Sequence, residues 1–239
     1  MHDDWRHAFY IGILPLLLGV LALFILSESG SWKETKASNT PTRSPEFFPS
    51  LVKGSAIFGS MLIGLWGIFS WVASWVQDFF PVGEVNGRDG IAMMLLGAGG
   101  ITGGFISGWI SDSLGVRRSM MICFSGCLVM SFLLFGMNST FSNIIFAELA
   151  LLALFFGISQ GLLSIYIPQL FPYQIRGTYT GICFNVGRIV TTFAVFFVAV
   201  IKDAAGSYSN ALLLFSGIFI IGFIAVYFTN TENASYKSS

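Results

Sequence analysis

Seven apolar runs, each long enough to cross a bilayer as a helix, decide what this chain can fold into. They lie near 8–27, 51–76, 91–111, 119–137, 143–167, 178–201 and 210–229. A span needs roughly 20 residues, because the hydrocarbon core is about 30 Å thick and a helix rises about 1.5 Å per residue. Backbone amides in lipid must be satisfied within their own segment, so runs of this kind become helices. Composition agrees. Of 239 residues, 54% are hydrophobic, 25 are Phe and 10% are charged, against about 25% charged in soluble domains. The expected fold is an all-α membrane protein with seven transmembrane helices.

Charge gives the chain a direction. The leader MHDDWRH is not the basic stretch a secretory signal needs. Lys33, Lys36, Arg43 and Lys53 lie on the far side of the first run instead, which predicts an external N-terminus. By alternation the cytosolic segments are 28–53, 112–118, 168–176 and 230–239. These hold eight of the 12 Lys and Arg, whereas the external segments hold Arg6, Arg88 and Lys202. The twelfth, Arg188, falls inside a span. The segment 28–50 is rich in Ser, Thr, Pro and charge and reads as a mobile linker.

Other classes find little support. The net charge of zero gives no electrostatic case for nucleic acid. Cys123, Cys127 and Cys183 sit in apolar runs and read as small buried hydrophobes, so neither a metal nor a cofactor is expected. His2 and His7 both lie in the leader, and no catalytic constellation is visible, so the chain does not read as an enzyme. Seven spans with an external N-terminus leave a seven-helix receptor as the rival.

Two motifs separate these readings. The run 91–111 is glycine-rich, and Gly100, Gly104 and Gly108 recur every four residues, on one helix face. Such a face permits close backbone packing, static or sliding. It leads into GWISDSLGVRR, a short turn with Gly108, Asp112, Gly115, Arg117 and Arg118. This turn resembles the signature loop of the major facilitator superfamily, G-x-x-x-D-(R/K)-x-G-(R/K)-(R/K). It departs from that pattern at Ser113, where the family often has a basic residue.

Three further stretches resemble the same family. Trp5, Arg6, Phe9 and Pro15 look like the start of its sixth helix, and Glu28, Ser29 and Trp32 like the element that follows. YIPQLFPYQIRGTYTG, with Phe171, Pro172, Arg176 and Gly177, is similar to the loop between its tenth and eleventh helices. Gln169 stands where the family usually has Glu, which predicts a weaker cytosolic charge network.

The resemblance, running in order along nearly the whole chain, speaks against a receptor. It implies helices 6–12 of a twelve-helix transporter. Residues 1–27 would be the last helix of the N-terminal half, 28–50 the cytoplasmic central linker, 51–229 the six-helix C-terminal bundle and 230–239 a cytoplasmic tail. Such transporters hold solute between two halves near the bilayer midplane. The partners implied are therefore the lipid bilayer, a small anionic or neutral metabolite with a proton, and a missing N-terminal half from the same or a split gene. The expected location is a bacterial inner membrane. The signature turn, with Arg176, would gate the transition, and Gly100 and Gly104 would let helices slide.

The polar residues within the spans nominate the site. Arg188 lies roughly 16 Å along its helix, near the middle of the bilayer core. A charge there is costly and usually faces a protein interior or an aqueous path. Its planar fork suits a carboxylate. Asn185, three residues earlier, shares its face. Glu148 could meet Arg188 across the gap to the next helix, either as a static pair that only neutralises charge or as the candidate proton carrier. Gln160, Trp66 and Trp71 are further candidates to line a cavity, and Trp75 reads as an interfacial-belt residue. The helix Gly54–Val76 contains no Gln or Asn, which suits a carboxylate or aromatic acid better than a sugar. The expected activity is secondary active transport of a small organic acid, by alternating access with proton coupling. The alternatives are a sugar or other metabolite transporter of the same superfamily, or an inactive half that needs a partner.

Overall fold

In the computed structural model the described residues are 13–25, 47–81 and 87–229. The chain divides into two compact units, Met1–Thr42 and Arg43–Ser239. In the first, Ile13–Ile25 forms helix α1, a run of apolar residues of about 20 Å. The remainder of that expected span, with Trp5, Arg6 and Phe9, lies outside the described residues, as do Glu28, Ser29 and Trp32.

The second unit is all helix among its described residues. Its elements are α2 (Phe48–Gln77), α3 (Arg88–Leu114), α4 (Val116–Ser131), α5 (Ile144–Tyr166), α6 (Arg176–Ala205), α7 (Tyr208–Ser216) and α8 (Ile218–Tyr227). A π-helical stretch, Phe132–Met137, extends α4, and a short 3₁₀ turn, Pro168–Leu170, extends α5. Six helical segments among the described residues are long and apolar enough to cross a membrane, with α7 and α8 together forming the sixth. Their ends agree with the six apolar runs from 51 onward to within four residues.

The connections follow from local chemistry. A single residue, Gly115, separates α3 from α4, with φ +81°. A side chain would be strained there, so glycine is what permits so tight a reversal. Lys53 Nζ donates to the Phe228 carbonyl at 3.1 Å, and Arg117 Nε donates to the Val226 carbonyl at 3.4 Å. Arg117 Nη2 also donates to the Tyr227 carbonyl. Two cations thus donate to carbonyls at the end of the last helix.

Helix α2 runs through the core. Ile57, Met61, Ile68, Val72 and Trp75 are buried along it and pack with Phe124, Phe156 and Phe219 of other helices into one cluster. Trp75 is therefore not an interfacial residue: it is 1% exposed, and its Nε1 donates to Ser209 Oγ at 2.8 Å. The Trp75 ring meets Phe79 and Phe135 edge-on. Core packing around that hydrogen bond displaces the belt position the sequence suggested.

The closest backbone approach joins α3 to α5. A methyl group at Gly103 would overlap the Leu154 carbonyl, and one at Gly157 would overlap the Gly100 carbonyl. A methyl at Gly99 would lie 2.6 Å from the Ala150 carbonyl. Gly161 packs against Ser107. The tight seam on α3 is thus Gly99, Gly103 and Ser107. A methyl at Gly100 or Gly108 would meet nothing within 4 Å, and one at Gly104 would meet only ordinary contact. The four-residue spacing was legible, and the backbones of Gly100 and Gly104 do lie against Gly157, but the α3 positions where a methyl would clash are one residue earlier.

Candidate substrate-binding site

A cleft of about 960 Å³ opens between α2, α5 and α6. Each helix contributes one stripe. From α2 come Phe58, Leu62, Leu65, Trp66 and Ser70; from α5 come Gln160, Leu163 and Ser164. From α6 come Phe184, Arg188, Thr191, Thr192, Val195 and Phe196. The spacings of three and four residues are those of one helical face.

Arg188 is the only charged residue among those lining the cleft. It is the thirteenth residue of α6, roughly 18 Å along it. Among the described residues its guanidinium has no hydrogen-bond or ion-pair partner. The Arg188 backbone carbonyl accepts from Thr192 Oγ1 at 2.9 Å, as the Gly187 carbonyl accepts from Thr191 Oγ1 at 2.8 Å. Ser164 Oγ donates to the Gln160 carbonyl at 3.3 Å. These hydroxyl protons are spent on their own helices. Gln160 Nε2 is buried and has no partner. The cleft therefore offers one exposed unused donor group, the Arg188 guanidinium, with the unpartnered Gln160 amide buried beside it, and its polar side suits a ligand rich in acceptors.

The opposite character comes from aromatic rings. Phe58 and Phe184 stack at 4.3 Å between centroids and 15° between planes. Trp66 is 50% exposed beside them. A flat apolar body could lie on these rings while an acid group meets Arg188.

Not every nominated residue reaches this cleft. Asn185 Nδ2 donates back to the Gly181 carbonyl at 2.9 Å, and the residue is not in the lining. Of the neighbours one turn before Arg188, the position four residues back, Phe184, faces the cleft. Trp71 is five residues beyond Trp66, about 140° round the helix; its ring lies 5.8 Å from that of Tyr208. Glu148 does not pair with Arg188. Its Oε2 accepts from Asn138 Nδ2 at 2.7 Å, and the same amide donates to the Leu133 and Leu134 carbonyls at 3.2 and 3.0 Å. Asn138 thus ties the carboxylate to the end of the π-helical stretch.

At the other end of the bundle, Arg117 is committed to α8, and Arg176 Nε donates to the Phe171 carbonyl at 3.3 Å. Asp112 and Arg118 are exposed and make no ion pair among the described residues.

A profile of the Major Facilitator Superfamily matches residues 2–195. The chain belongs to the Major Facilitator Superfamily. This family member is 24% identical to the cis,cis-muconate transport protein of Acinetobacter baylyi, over 98% of this chain and 59% of that protein. It is 29% identical to the sialic acid transporter NanX of Escherichia coli, over 77% of this chain and 45% of that protein. It is 27% identical to the probable 4-methylmuconolactone transporter of Cupriavidus pinatubonensis, over 84% and 48% respectively. The chain thus spans about half the length of these relatives. Together with the six apolar helices, the match makes this a multi-pass integral membrane protein of a transporter family.

The sequence reading missed Phe58, Phe184, Thr191 and Thr192. The three on α6 lie four residues before and three and four after Arg188, so its helical face would have found them. Asn138 as the partner of Glu148 carried no comparable signal, since it depends on how the π-helical stretch meets α5.

Proposed function

We propose that the chain forms one wall of the solute pathway of a secondary transporter for small organic carboxylates. The observation that carries this reading is Arg188, a cation with no partner among the described residues, on the wall of a cleft otherwise built of aromatic, aliphatic and neutral polar groups. A cation without a counter-ion at bilayer depth is costly even where it faces a cleft, and a ligand carboxylate offsets that cost. Gln160 adds a second donor, and Phe58, Phe184 and Trp66 hold the apolar body. Two relatives named above are transporters of an acid by name, muconate and sialic acid, which favours the same class.

A further bundle of helices supplies the opposite wall in this proposal, and the two bundles alternate about the solute. The single-residue turn at Gly115, with Asp112, Arg117, Arg118 and Arg176 at the same end, would control that motion. Uptake is coupled to protons in a bacterial inner membrane. Glu148 is the carrier this chain can offer: Asn138 can donate to the ionised carboxylate and accept from the protonated one.

The test is uptake of labelled carboxylates, including cis,cis-muconate and sialic acid, into proteoliposomes holding the full-length transporter under an imposed proton gradient. Wild type should accumulate at least one of them. Arg188→Lys should insert normally and take it up about tenfold more slowly, because a bidentate charged contact is lost. Unchanged uptake by Arg188→Lys and Arg188→Gln, or transport of neutral solutes alone, would overturn the proposal.

A further inference from the structure

A second concavity lies on a different face of the bundle. It is a groove of about 650 Å³ between α4, α5 and α8, almost wholly apolar. Phe155 of α5 forms part of it, and Phe155 is about 140° round that helix from Gln160, so the groove is separate from the solute cleft. Its long wall is one stripe of α4, with Arg118, Ile122, Ser125 and Val129 spaced by three and four residues. Ile122 is 48% and Val129 55% exposed. Its floor exists because residue 126 is glycine. A methyl there would lie 2.6 Å from the Phe155 ring, which rests across the bare backbone.

The groove has a polar head at one end only. From Arg118 to Met130 it follows α4 over thirteen residues, a rise of about 18 Å. That is close to half the roughly 30 Å hydrocarbon core, one leaflet deep. The two adjacent arginines divide the work. Arg117 turns inward and is spent on the α8 carbonyls, whereas Arg118 is exposed at the mouth without a partner among the described residues. Asp112, the acidic residue of the same turn, makes no ion pair with it. A free guanidinium beside an apolar channel one leaflet deep matches a molecule with an anionic head and a long hydrocarbon chain.

We propose that this groove binds one anionic phospholipid from the leaflet at the Arg118 end. Its phosphate sits on the Arg118 fork, and an acyl chain lies along Ile122, Ser125 and Val129 over the Phe155 ring. The proposal does not depend on which solute the transporter carries.

The experiment is native mass spectrometry of the purified full chain, released from micelles containing equal amounts of phosphatidylglycerol and phosphatidylcholine with matched acyl chains. Wild type should retain phosphatidylglycerol about fivefold more than phosphatidylcholine, the effect expected of one interfacial cation. Arg118→Lys should keep most of that preference, and Arg118→Gln should lose it. Val129→Trp, which fills the channel, should lower retention of both lipids. Equal retention of the two lipids by wild type would overturn the proposal, and that comparison needs no variant to fold. An unchanged preference in folded Arg118→Gln would overturn it as well. So would displacement of phosphatidylglycerol by inorganic phosphate with no effect of Val129→Trp, since the site would then recognise only the ion.

Discussion

Helix α5 has two sides that behave in opposite ways. On one, Gly157 and Gly161 press against Gly103 and Ser107 of α3, so closely that no methyl group fits between the backbones. On the other, Gln160, Leu163 and Ser164 stand back from α2 and α6 and leave a cleft of about 960 Å³. The contrast separates two uses of small and polar residues in a membrane. On the seam, missing side chains bring backbones together and fix the angle of α5. In the cleft, the unspent Arg188 guanidinium is held open by helices that are anchored elsewhere.

The largest effect is expected at the seam. Gly103→Leu puts a side chain where the Leu154 carbonyl already lies, and backbone cannot yield as a flexible side chain can. Overpacking of this kind costs about 3 kcal/mol or more. The expected result is loss of folded protein in membranes, read by detergent extraction and thermal unfolding. Normal yield and melting would mean the seam is not structural.

Two tryptophans of α2 sharpen the same contrast. Trp75→Phe removes the bond to Ser209 and should lower stability by about 1 kcal/mol. Trp66→Phe, at the cleft, should leave melting unchanged and weaken solute binding. An equal effect of both on melting would erase the distinction between core and cleft. The smallest effect expected is at Gly100. Its side-chain direction is open, so Gly100→Ala should be neutral or stabilise by up to about 1 kcal/mol through helix propensity. Destabilisation by Gly100→Ala would show that the face read from the four-residue spacing carries the packing after all.

Much of this architecture was legible because bilayer thickness leaves few options for a run of 20 apolar residues. The six spans from α2 to α8 were read nearly to their ends, and so was the turn at Gly115, whose glycine and flanking charges carry their own signal. The site was legible in part. Arg188, Gln160 and Trp66 do share one cleft, because residues that are costly in lipid tend to face such spaces. What failed was rotation about helix axes. Choosing Asn185 over Phe184, or Trp71 beside Trp66, each turned on about 100–140° of helix, and no pattern within one helix settles that. Pairings between helices failed for the same reason: Glu148 lies with Asn138, a partner ten residues away across a π-helical end. Trp75 was misplaced because its indole finds a hydroxyl inside the bundle instead of at the interface.

The central claim is that Arg188 recognises a carboxylate, and the most direct measurement sets a carboxylate against its uncharged isostere. Isothermal titration of the purified full-length transporter with a transported acid and with the corresponding amide would do this, in wild type and in Arg188→Gln. Wild type should bind the acid about tenfold or more tightly than the amide, and Arg188→Gln should bind both alike. A preference for the acid that survives in Arg188→Gln would contradict it, and the anion would then have to be recognised elsewhere in the protein.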